Sequence, residues 1–136
     1  MKITNITGIP LRCACAPISD ALSTSFARQA LLVKIETDTV LFGIGEAFTY
    51  GAPLAAMKFI VEEELGPMLI GRDPSMIEEI WQTMYWRSIA HGRRGLIMGC
   101  ISGIDIALWD LFGKMVHQPV AKLLGQHFDR IPSYAS

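Results

Sequence analysis

Charge is scarce in this 136-residue chain: 18% of the residues are Asp, Glu, Lys or Arg, and the formal net charge is −1. No polybasic stripe exists, which argues against nucleic acid and against an anionic membrane surface as partners. Cysteine is scarce too. Cys13 and Cys15 form one C-x-C pair and Cys100 stands alone. An odd count at that spacing is neither a disulfide framework nor a zinc set. Buried or half-buried free thiols in a reducing cytoplasm are expected. His91, His117 and His127 show no metal-ligand spacing. The opening "MKITNITGIP" lacks the apolar run of a signal peptide. The most apolar window, Gly95 to Gly113, is nearly long enough to cross a bilayer, yet it carries Asp105 and Asp110. Each would cost about 2.5–3.5 kcal/mol at the bilayer centre.

Apolar residues, by contrast, are abundant. They make up 51% of the chain, and the mean hydropathy is +0.34. A small domain has much surface per volume and should be more polar than this. One face is therefore expected to be covered by a partner chain or a further domain.

The first half reads as strands. Ile3, Ile9 and Leu11 fall at even spacing, with Ile6 on the opposite face and Pro10 marking an edge or a strand end. In "QALLVKIETDT", Leu31, Val33 and Ile35 share one face while Lys34 and Glu36 point away. Asp38 and Thr39 suit a hairpin connection to "VLFGIGEAF". There Gly43 and Gly45 alternate on one face, where missing side chains let another element approach.

The second half reads as helices. Leu54, Met57, Val61, Leu65 and Met68 keep helical spacing until Gly66-Pro67. In "RDPSMIEEIWQTMYWRSIAHG", Asp73 is the expected cap, Pro74 sits at the first turn, and Ile77, Ile80, Trp81, Met84 and Tyr85 form a stripe. Trp81, Tyr85, Trp86 and Trp109 read as core or interface. A third helix spans roughly Leu96 to Val116, and "PVAKLLG" makes a short fourth one. Strands followed by helices is an α+β order. The expected fold is a three-stranded antiparallel meander followed by a bundle of three to four helices. "RIPSYAS" then begins a new strand.

Asp105 shares a helical face with Ile101, Ile104, Leu108 and Phe112, so it should point inward and be hydrogen-bonded or paired, or else have its pKa raised by burial. Asp110 stands four residues before Lys114, the favourable order for a helical ion pair. Both aspartates have structural explanations, and neither needs to be a catalyst.

The run "CISGIDIALWDLFGKMVHQPVAKLLG" resembles the N-terminal signature of the mandelate racemase and muconate lactonizing enzyme family, in the enolase superfamily. The matching residues are Ser102-Gly103, Asp105, Ala107-Leu108, Asp110, Gly113-Lys114, Pro119 and Leu123-Leu124-Gly125. Cys100 departs from the usual Ala. "LLVKIETD" with "GIGEAF", "LIGRDP" and "IPSYAS" resemble further parts of the same family. The resemblance implies an α+β capping domain over residues 1–128 and the start of a (β/α) barrel over residues 129–136.

In that family the barrel holds magnesium on three carboxylates and carries Lys or His bases. These remove a proton alpha to a carboxylate. The chain has no Lys-x-Lys pair among its five lysines, and no acids spaced as strand-end ligands. By this resemblance the 136 residues hold neither the magnesium site nor a catalytic residue. The cap instead closes two loops over the barrel mouth. By position these are Ala16 to Gln29 and Phe48 to Pro53, with Ser23, Arg28, Thr49 and Tyr50 as substrate-binding candidates, and Ser136 at the end of the incipient strand. The polar first loop leans towards an acid-sugar dehydratase or cycloisomerase over a racemase of an aromatic acid. The implied partners are the barrel domain of the same protein, a small carboxylate substrate and further copies in a homo-oligomer, all in the cytoplasm. The alternative is a free-standing, non-catalytic interaction or oligomerisation module.

Overall fold

The computed structural model describes residues 1–19, 21 and 24–134. Three strands, β1 (Ile3–Ser19), β2 (Thr24–Thr37) and β3 (Phe42–Ala47), form one antiparallel sheet in the order β1-β2-β3. Helices α1 (Leu54–Phe59), α2 (Ile77–Gly92), α3 (Leu96–Met115) and α4 (Val120–Leu123) follow. The architecture is the α+β meander and helix bundle expected from the element order.

Alternation in β2 places Leu31, Val33 and Ile35 on the helix side, fully buried. Helix α3 lies against that side, and Ile101, Ile104, Leu108 and Leu111 are fully buried on it. By length and composition α3 could cross a membrane, but here it is the core helix on the sheet. The approach is backbone to backbone. A Cβ at Gly43 would lie 2.0 Å from the Ala107 carbonyl oxygen, and one at Gly45 would lie 2.1 Å from that of Gly103. The glycines of β3 thus set how close α3 can sit.

Asp110 and Lys114 fasten the same contact. Asp110 Oδ2 accepts from the Ile44 amide at 2.8 Å and from Lys114 Nζ. Lys114 Nζ also donates to the Phe42 carbonyl at 2.9 Å and stands 4.8 Å from the Phe42 ring centroid. The far edge is treated alike. Glu62 Oε1 accepts from the Gly8 amide at 2.9 Å, while Lys58 Nζ donates to the Gly8 carbonyl at 3.0 Å and pairs with Glu62. Burial alone would raise the Glu62 carboxyl, but the hydrogen bonds from Lys58 and Gly8 outweigh it and hold it below the usual range.

Several local expectations need correcting. Ile3 and Ile6 lie on the same buried side, whereas Leu11 is exposed. Ile3 pairs with Thr37 and Asn5 with Glu36, so one extra residue bulges at Thr4 and flips the alternation. Of the two readings of Pro10 the edge holds, since β1 is an edge strand, and the strand runs on through it to Ser19. Most of the stretch expected to be the first loop, Ala16 to Gln29, is the end of the β1–β2 ribbon, with Ile18 opposite Ser25 and Ser19 opposite Thr24.

Further corrections concern the helices and the last residues. The first helix continues beyond α1 as π-helical turns over Ile60–Leu65 and a 3-10 turn over Gly66–Met68, where Pro67 has no amide to donate. Asp73 does not cap α2. Its carboxylate accepts from the amide and hydroxyl of Ser75, closing a separate turn, and α2 starts later, at Ile77. The connection between β2 and β3 takes four residues, 38–41. Residues 131–134 take no regular secondary structure in this chain. Cys100 is buried, and burial pushes its thiol up to about 12, while Cys13 is exposed.

Candidate functional site

The free end of the β1–β2 ribbon and the turn after β3 enclose a cavity of about 260 Å³, lined by Ile18, Ser25, Ala27, Arg28, Gln29, Thr49, Tyr50 and Gly51. The side chains of β2 that fill the core, Leu31, Val33 and Ile35, give way along the same parity to Gln29, Ala27 and Ser25. One strand face therefore serves the core at one end and the cavity at the other.

The turn is tied down by Thr49. Its side chain is buried, and its hydroxyl donates to the Gln29 carbonyl at 3.0 Å. The Thr49 carbonyl accepts from the Ala52 amide, closing the turn around Gly51. Phe48 and Tyr50 point out on either side of Thr49. Their rings stack at 6.2 Å with 10° between planes, and both are largely exposed. Arg28 stands opposite Cys13 on the ribbon and borders a second hollow with Arg12, Gln29 and Glu46.

Of the expected site residues, Arg28, Thr49 and Tyr50 come together around this one cavity. Ser23 and Ser136 lie outside the described residues. Ile18, Ser25 and Gln29 were missed. The period-2 parity of β2 was the signal for Ser25 and Gln29, had the strand been extended back from Leu31.

The signature residues behave differently from one another. Gly103 fits against the Ala47 backbone, with a Cβ there only 2.9 Å from the Ala47 side chain. Ser102 is exposed, and Gly113 is buried beside the Gln118 carbonyl. Asp110 and Lys114 make the expected pair. Asp105 is half-buried, facing Glu78 and Trp81 of α2 and Trp109. Of the two expected outcomes the second holds: no hydrogen bond or ion pair reaches it among the described residues, and burial, then the Glu78 charge, push its carboxyl above the usual range. No group of three or more His, Cys, Asp or Glu among the described residues could hold a metal ion.

Among the described residues the cavity lining brings together hydroxyl, amide, phenol and guanidinium-bearing residues and includes no carboxylate or imidazole. The chain is 43% identical over 117 residues to a D-galactonate dehydratase family member of Streptomyces bingchenggensis, covering 85% of this chain and 28% of that protein. It is 38% identical over 107 residues to the 3,6-anhydro-alpha-L-galactonate cycloisomerase of Streptomyces coelicolor, covering 79% of this chain and 30% of that one. The crystal structure of a racemase from Streptomyces coelicolor with bound magnesium superposes with a TM-score of 0.85 at 33% identity, over 90% of this chain and 35% of that one. The chain thus spans less than a third of the curated relatives it matches. Residues 3–125 match the profile of the mandelate racemase / muconate lactonizing enzyme N-terminal domain, and the chain belongs to that family.

Proposed function

We propose that this chain is the capping domain of a longer cytoplasmic enzyme of the enolase superfamily. That enzyme would remove the proton alpha to the carboxylate of a sugar acid, as a dehydratase or a cycloisomerase. The cavity at the ribbon end supports the reading: Arg28, Gln29, Ser25, Thr49 and Tyr50 border it at the edge of the domain, with no carboxylate or imidazole in its lining among the described residues.

Each residue has a task under this reading. Arg28 supplies a fixed positive charge and a fork of donors for a carboxylate or vicinal hydroxyls. Ser25 and Gln29 add hydroxyl and amide partners, which favours a polyhydroxylated acid over an aromatic one. Tyr50 covers the substrate, and Thr49 positions it by locking the turn onto β2. Ile18 and the stacked Phe48 and Tyr50 rings keep water out, which strengthens every polar contact inside. Ser23 and Ser136, outside the described residues, remain substrate-binding candidates. Magnesium, when bound, would supply charge for an enolate. The described residues do not fit it, so its ligands would lie in the barrel domain.

The test is steady-state kinetics on the full-length polypeptide with a panel of sugar acids. Arg28→Gln should lower kcat/KM by about 10–100-fold, the range of a lost charged hydrogen bond. Tyr50→Ala should raise KM. Unchanged kinetics in both variants with every acid turned over would remove the cavity from the active site.

A further inference from the structure

Arg28 and Gln29 belong to two hollows at once. They line the cavity of about 260 Å³ described above, and they also line a second hollow of about 420 Å³, where Leu11, Arg12, Ala30 and Glu46 join them. The topology explains the sharing. Strand β3 pairs with β2 no further than Ala47 opposite Leu31, so the β2 backbone before Leu31 has no strand on that side. The two hollows meet over this open margin. The first alone is small for a ligand site, which typically offers about 300–1,000 Å³. The two taken together fall within that range.

The second hollow adds charge. Arg12 stands opposite Gln29 on the ribbon and brings a second guanidinium beside that of Arg28. Among the described residues the side chains of Arg12, Arg28 and Glu46 make no hydrogen bond and no ion pair. Two guanidiniums against one carboxylate leave the hollow with one net positive charge. A single carboxylate on a ligand balances it.

We propose that the second hollow seats a second acid group, so that the substrate is a sugar diacid whose far carboxylate lies between Arg12 and Arg28. The inference rests on the enzyme reading above. Under that reading the carboxylate beside the leaving proton faces the acid–base groups of the barrel domain, and the cap meets the other end of the substrate. The hydroxylated carbons pass Ser25 and Gln29 in the first cavity. The far carboxylate accepts from the two guanidinium forks, a geometry a primary hydroxyl cannot match. Glu46 accepts from a neighbouring hydroxyl. It also holds the net charge of the hollow to one, which disfavours a phosphate carrying about −1.5 to −2 at neutral pH. Arg12 is thereby a specificity-determining residue, and Leu11 and Ala30 form the apolar floor beside it.

The test is steady-state kinetics of the full-length polypeptide on a sugar diacid, on the monoacid of the same carbon number and configuration, and on that monoacid phosphorylated at its far end. The diacid should show the highest kcat/KM, above the monoacid by about tenfold or more. Arg12→Gln should lower kcat/KM for the diacid by about 10–100-fold, mostly through KM, and for the monoacid by no more than about threefold. The retained monoacid turnover also shows that the variant folds. A monoacid turned over as well as the diacid overturns the proposal and leaves the enzyme reading standing. So does an Arg12→Gln change that spares the diacid or harms both acids alike. A phosphorylated acid preferred over the diacid overturns the choice of a carboxylate. A full-length polypeptide that turns over none of the three overturns the enzyme reading, and this proposal with it.

Discussion

Gly45→Ala tests the closest contact in the fold. In an ordinary strand the change would be neutral or favourable, because glycine costs about 0.5–1 kcal/mol there relative to alanine. Here the new methyl would sit 2.1 Å from the Gly103 carbonyl oxygen and 2.6 Å from the Ala107 amide nitrogen. Ordinary contact begins at 3.4 Å, so α3 must retreat by about 1.3 Å. Those obstructing atoms are helix backbone and cannot rotate aside. A retreat of that size would part Ile101, Ile104, Leu108 and Leu111 from the sheet, and a gap of about 0.5–1 Å already forfeits a quarter to a half of each dispersion contact. The expected cost is about 3 kcal/mol, the upper end of overpacking. With a urea slope near about 2 kcal/mol/M, the unfolding midpoint should fall by about 1.5 M. Gly71→Ala is the control, for its Cβ would meet nothing within 4 Å although φ is +81°, and it should cost only about 1 kcal/mol. A Gly45→Ala protein as stable as the Gly71→Ala protein, or more so, would refute the claim that β3 glycines set the position of α3.

Two further outcomes follow from the polar contacts. Asp110→Ala should destabilise the protein by about 1–3 kcal/mol, since the Ile44 amide loses its acceptor; Asp110→Asn, which keeps an oxygen there, should cost less in the same urea titration. Asp105→Asn should stabilise the monomer at neutral pH. Its carboxyl is raised in the folded state, by burial first and by Glu78 second, so the penalty is absent below the unfolded pKa and grows as pH rises through the folded one. Melting curves of the two proteins should therefore converge below about pH 4, the ordinary aspartate value; a constant difference across pH would count against the desolvated carboxylate.

The element order, the buried face of β2 and the close glycines of β3 were all legible, because each rests on local spacing. Asp110 and Lys114 were legible as a pair, but their grip on Ile44 and Phe42 was not, since nothing local says which strand lies beneath. The bulge at Thr4 was hidden for the same reason. Ile3 donates to the Arg72 carbonyl and accepts from the Gly71 amide, contacts from a distant turn that fix its side of the sheet. Asp73 misled because Ser75, two residues on, competes for the same carboxylate. The candidate site was half legible. Arg28, Thr49 and Tyr50 were singled out, but the ribbon was read as a loop, so the alternation that places Ser25 and Gln29 on the cavity wall was not followed.

The two lysine–carboxylate pairs at the margins of the sheet have a consequence for how this domain can meet other proteins. An unpaired strand margin is a template on which a foreign strand can grow. At Gly8 on one side and at Phe42 and Ile44 on the other, the backbone groups that would recruit such a strand are already bound by side chains from the helices. Along these stretches the sheet closes at three strands, and fibrillar stacking or strand exchange has no free ladder to copy. At these positions, contact with another protein must proceed through side-chain surfaces.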